Sequence, residues 1–235
     1  MEKVIVNYNK AYHALPAIPF ESSCKIKEPC NEGKDGKLCE VCLTGFNGYS
    51  FPHELPEKLS SFVKIATVMK ADEGKKCVSG KLSDGKEHYL MKDCDGVIFF
   101  EKGGQKYMLF CELKSSYCSE EIFKAKNQIC ASYIKVKALM GTLQDFCLQE
   151  FMPIGMIFSY GPNPEEKTMN SKKFASGSKS SNFSEKLRLQ KKVGIGKETG
   201  NCVFAPFEMD EITIYYCEVP NAECSYSVDI GDVLK

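Results

Sequence analysis

The chain has 235 residues, 43% of them hydrophobic and 26% charged, with no formal net charge. That balance suits a folded domain rather than a disordered chain. No apolar run approaches the roughly 18 residues of a membrane helix, so a soluble protein with no membrane partner is expected, and the start shows no apolar stretch behind a basic head that would read as a signal peptide.

Residues 1–55 read as an irregular N-terminal segment, broken by Pro16, Pro19 and Pro29 and carrying Cys24, Cys30, Cys39 and Cys42. A helix is expected over about 56–70, where Leu59, Phe62, Val63 and Ala66 recur near a 3.6 period. Strands follow at roughly 76–81, 88–91, 95–101 and 106–113, the later ones separated by Asp84-Gly85 and Gly103-Gly104. The clearest helix runs from Ser119 to Met140, with a serine N-cap, two glutamates at the positive end of the dipole, and Gly141 as its stop. A short helix near 143–151 leads into an apolar strand over 153–160.

Residues 161–200 read as a basic Ser/Lys-rich loop. Between Lys167 and Lys197 nine Lys or Arg face one acid, Glu185. Such a segment repels itself and suits a phosphate backbone, with Lys172, Lys173, Lys179, Lys191 and Lys192 as candidate contacts. Residues 201–235 read as C-terminal strands, near 201–205 and 211–217, and an acidic tail with seven acids between Glu208 and Lys235.

Thirteen cysteines would suggest disulfides in an exported protein. The count is odd, however, and Cys111, Cys130, Cys147 and Cys217 lie in apolar runs where cysteine acts as a small hydrophobe. A reducing, cytoplasmic setting is the expectation. Cys39-x-x-Cys42 has the spacing of half a zinc site, and Cys24, Cys30 or His53 could complete a structural Zn2+ site, but Cys24 and Cys30 are spaced too widely for the usual pattern. Plain thiols are the simpler reading. The histidines (His13, His53, His88) form no hydrolase or metalloprotease pattern, and Gly194-Ile195-Gly196-Lys197 lacks the spacing of a phosphate-binding loop.

The chemistry concentrates elsewhere. Glu-x-Lys occurs four times, starting at Glu32, Glu73, Glu112 and Glu165. Only Glu112-Leu113-Lys114 ends an apolar run, Tyr107 to Cys111, where charge is costly unless paired or bound to metal. On a strand Glu112 and Lys114 share a face. If Gly103-Gly104 forms a two-residue hairpin loop, paired residue numbers sum to 207, and Asp95 falls opposite Glu112. Two facing carboxylates repel, and a hard divalent cation such as Mg2+ would relieve that repulsion. The same register sets Asp93 opposite Lys114, as an ion-pair partner or second-choice ligand.

This text, Asp95-Gly96-Val97-Ile98-Phe99-Phe100 followed by Phe110-Cys111-Glu112-Leu113-Lys114, resembles the PD-(D/E)xK nuclease superfamily. The resemblance covers roughly residues 56–160. It implies a restriction-endonuclease-like α/β core of helix, three strands, helix and strand around a mixed, four-stranded central sheet. It further implies that Asp95, Glu112 and the Leu113 carbonyl hold Mg2+, with Mn2+ able to substitute, and that Lys114 positions or deprotonates the attacking water. Cys94 stands where the family's proline is frequently found. Gln128 is carried over from a helix motif whose tyrosine has no match at the right spacing, since Tyr133 is one residue too far, and Glu57 takes the place of a first-helix glutamate. The expected function is a metal-dependent nuclease acting on nucleic acid, DNA ahead of RNA. The alternative is a noncatalytic nucleic-acid-binding or assembly module that retains the fold. The sequence leaves homo-oligomers and protein partners open.

Overall fold

The structure is a computed structural model that describes residues 21–27, 37–50, 94–140, 148–175, 177, 179–196, 211–220 and 224–234. The expected helix near 56–70, the strands near 76–81, 88–91 and 201–205, and Glu57, Asp93 and Cys30 lie outside these residues.

Two glycines set the register at the centre of the sheet. Gly103 and Gly104 both adopt positive φ, +59° and +77°, as a two-residue hairpin turn with two left-handed positions requires. They join β3 (Gly96–Lys102) to β4 (Gln105–Lys114) in an antiparallel ladder from Lys102↔Gln105 to Gly96↔Cys111. Every pair sums to 207, as the turn chemistry predicts.

The remaining strands extend this hairpin on both sides. β5 (Phe151–Tyr160) runs parallel to β4, β7 (Ile212–Val219) parallel to β5, and the short β6 (Lys192–Ile195) antiparallel to β7. The result is a five-stranded mixed sheet in the order β3-β4-β5-β7-β6. A second group has β2 (Glu40–Ser50) at its centre, flanked by antiparallel β1 (Glu21–Lys27) and parallel β8 (Ser225–Asp229). The last residues of β2, Asn47 to Ser50, also pair with β3, so the five-stranded and three-stranded parts share one hydrogen-bonded path. Gly45 lies where β2 changes partners. Its φ is +79° and any Cβ would collide with the Asp229 carboxylate, so glycine is required twice over.

Each face of the central sheet has its own core. Val97, Phe99, Met108, Phe110 and Ile157 meet the helices α1 (Ser119–Met140) and α3 (Lys179–Gln190). Ile98, Phe100, Leu109, Leu113, Met156 and Phe158 meet Ile26, Val41 and Leu43 of the three-stranded part, with Ile230 of the short α4 (Ile230–Val233). Being covered on both sides, β4 is buried continuously from Met108 to Lys114.

Three expectations are corrected. Residues 21–27 and 40–50, read as irregular, are strands whose apolar positions pack against the main sheet. Much of 161–200, read as a loop, is helical: α2 (Pro164–Ala175), α3 and then β6. A reciprocal cap starts α2, in which Asn163 N donates to Glu166 Oε2 at 2.9 Å and Glu166 N donates to Asn163 Oδ1 at 2.8 Å. Phe183 and Leu187, one turn apart, bury α3 against the first core, and its Ser184 hydroxyl donates to Ser119 Oγ at 3.0 Å. The sheet is also larger than the four strands expected. Of the short helix expected near 143–151, a 3-10 turn at Leu148–Glu150 is described.

Candidate active site

Charge has to be forced into an apolar strand, and β4 does this at its end. Glu112 is 1% exposed and Lys114 8%. The register puts both on the face turned toward α1, since Met108 and Phe110 belong to that core and the alternation continues. Lys114 Nζ donates to Glu112 Oε1 at 2.5 Å. The second oxygen, Glu112 Oε2, is buried as well.

Asp95 lies one residue before β3, so it continues the 207 register opposite Glu112 just beyond the last ladder pair. Its carboxylate prolongs the pairing in place of a backbone carbonyl: Leu113 N donates to Asp95 Oδ2 at 2.7 Å. In an antiparallel ladder the N–H and C=O of one residue leave the strand on the same edge. The Leu113 carbonyl therefore faces the Asp95 side of β4. Two carboxylates and a carbonyl are all hard oxygen donors, a set that fits Mg2+ or Mn2+. Among the described residues no group of three or more His, Cys, Asp or Glu comes together as a metal site, so the described oxygen donors here are this pair and the backbone.

α1 approaches the same place. Ser132 Oγ accepts a hydrogen bond from Cys94 N at 2.9 Å, tying the amide of the residue before Asp95 to the helix. Gln128, half-buried, lies one helical turn before Ser132 on that stripe. Tyr133 is a core residue, with its ring edge-on to Phe110 at 5.8 Å. Cys94 is buried, and desolvation pushes its thiol far above the ordinary range, which keeps it protonated and a poor metal ligand. Sequence reasoning passed over Ser132, and its one signal was a hydroxyl among the apolar positions Ile122, Ala125, Ile129 and Val136 of the same helix.

Polar groups continue sideways along this face. Ser159, fully buried, lies beside Lys114 in the β4–β5 register, and its hydroxyl donates to Tyr216 Oη at 3.4 Å. The Tyr216 ring packs against Tyr117 at 4.7 Å and lies 4.6 Å beneath Lys191 Nζ, which also pairs with Glu218 at 3.2 Å. Burial pushes the Tyr216 hydroxyl well above its usual range, so it stays protonated at neutral pH.

The cysteine cluster is less coherent. Cys39 is disulfide-bonded and Cys42 is a free thiol, while the register sets Cys24 beside Leu43 and Cys42 beside Lys25. Comparison of the chain with protein-family models, with curated proteins and with solved structures finds no significant match.

Proposed function

We propose that this chain is a Mg2+-dependent nuclease hydrolysing phosphodiester bonds in DNA, with Mn2+ able to replace Mg2+. The observation that carries this reading is the buried Glu112–Lys114 pair beside Asp95, whose carboxylate is tied to the Leu113 amide. Apolar residues would fill this space at lower cost, because desolvating two charges offsets much of their attraction. Charges kept in such a place are candidates for chemistry, and the resemblance to PD-(D/E)xK nucleases names which chemistry.

Asp95, Glu112 and the Leu113 carbonyl would hold the cation, which supplies Lewis acidity toward the phosphate and the attacking water. Lys114 is the group that orients that water and meets negative charge as it builds on the phosphate oxygens. The packing of α1 over the sheet keeps bulk solvent from Glu112, strengthening each of these interactions. α2 and α3 follow β5 in the chain and expose Lys167, Lys172, Lys179 and Lys186, with Lys192 beyond them. They are the proposed contacts to the phosphate backbone, setting affinity without reading sequence.

A second reading, a noncatalytic nucleic-acid-binding module, draws on the presence of two carboxylates rather than three among the described residues. Incubation with linear, circular and single-stranded DNA in Mg2+ or Mn2+ separates the two. Metal-dependent cleavage is expected. Binding without cleavage would select the second reading, and neither binding nor cleavage would overturn both.

A further inference from the structure

We infer that Ser132 is a positioning residue for the Asp95 carboxylate, so that α1 governs metal affinity at the site through one hydroxyl. The inference rests on the metal-site reading above. A serine inside a helix ordinarily turns its hydroxyl to water or back to the carbonyl four residues earlier. Ser132 is 3% exposed, on the inward stripe of α1, and its oxygen instead accepts from the Cys94 amide, 38 residues away in the chain, at 2.9 Å. Ladder pairing of β3 with β4 begins at Gly96, so the Asp95 backbone lies outside it. Two bonds bracket that residue. The amide of Cys94, the residue before it, is held to α1 by Ser132, and its own carboxylate is held to β4 by the Leu113 amide. Between them they fix the direction in which the carboxylate leaves the sheet.

A ligand held in its binding direction loses little freedom when a cation arrives, and groups that orient ligands commonly change metal affinity by about 10–100-fold when removed. Ser132→Ala deletes the acceptor and leaves the Cys94 amide without it. Asp95 then gains freedom to turn away from Glu112. Ser132→Thr keeps an oxygen at the same position.

The test is a Mn2+ titration of the full chain, followed by electron paramagnetic resonance, on the parent, Ser132→Ala, Ser132→Thr and Asp95→Asn proteins, with circular dichroism of each without metal. Ser132→Ala is expected to keep the parent's spectrum and lose about tenfold or more in Mn2+ affinity, with Ser132→Thr restoring most of it. Parent-like affinity in Ser132→Ala, alongside weakened binding in Asp95→Asn, would overturn this inference and leave the metal site standing. Parent-like binding in Asp95→Asn would instead overturn the metal site itself. Should the alanine protein not fold, Ser132→Cys carries the same test. It keeps the volume but offers a weak acceptor, and undiminished affinity there would equally overturn the assignment.

Discussion

Two ion pairs in this molecule have nearly the same length and very different surroundings. Glu112 and Lys114 on β4 meet at 2.5 Å with side chains 1% and 9% exposed. Glu185 and Arg188 on α3 meet at 2.6 Å with side chains 18% and 34% exposed. The helical pair is what a solvated face produces at i,i+3 spacing, and arginine beside the Glu185 carboxyl holds it below its usual range. The strand pair occupies space that leucine and methionine could fill. The contrast is one of cost: a charge kept away from water is far more expensive than one on a solvated helix face.

The sharpest way to break that contrast is catalytic. Asp95→Asn and Glu112→Gln should each lower DNA cleavage by roughly 10²–10³-fold, while Glu185→Gln leaves it at the parent rate. Parent-level cleavage by Glu112→Gln ends the nuclease reading. Stability should part the two pairs next. Glu112→Leu alone strands Lys114 in the core and should cost about 3–5 kcal/mol in urea unfolding. Glu112→Leu combined with Lys114→Met should recover most of that, whereas Glu185→Ala should cost under about 1 kcal/mol. A double variant no more stable than the single one would mean that the buried pair is structural.

A third buried charge sharpens the comparison. Lys135 on α1 is 1% exposed, and desolvation pulls its ammonium down to about 7 from 10.5. Between those values the unfolded chain holds a proton that the folded one has released, so this residue makes stability rise with pH across that window. Below pH 7 the full cost of burying the charge is present. Lys135→Met should therefore be more stable than the parent at pH 6, by on the order of a few kcal/mol, and the gap should close toward pH 10. A gap independent of pH would show that Lys135 binds its proton equally in the folded and unfolded chain, and so keeps its charge when folded. The smallest effect belongs to the exposed cations. Replacing Lys167, Lys172, Lys179, Lys186 and Lys192 with glutamine should weaken DNA binding and flatten its log–log salt dependence by about 0.9 for each phosphate that is no longer neutralised. An unchanged slope would move the DNA path elsewhere.

What could be read from the sequence follows the same division. Asp95, Glu112 and Lys114 stood out because charge ends an apolar run and a double glycine fixes the register opposite it. β2 did not, because its buried positions Val41, Leu43 and Phe46 change parity at Gly45, where the backbone turns left-handed and the strand changes partners. The helices α2 and α3 were hidden by composition. Serine and lysine dominate them, and the helical signal reduces to a cap at Asn163 and to Phe183 and Leu187 one turn apart. Ser132 was invisible for a different reason, since nothing in its neighbours along the chain announces the Cys94 amide.

The parallel pairing of β2 with β8 has a consequence for how the chain folds. Thr44 Oγ1 donates to Val228 O across 184 positions, and the inner faces of both strands help close the second core. Contacts so distant in the chain tend to form late, because a long loop must be closed before they are rewarded. During synthesis β2 cannot gain this neighbour until residues 225–229 have emerged, so Val41 and Leu43 must wait with one strand edge open. An open apolar strand is a template for pairing with other chains. Aggregation during refolding should therefore originate in β2, at the far side of the sheet from the helices that cover Glu112.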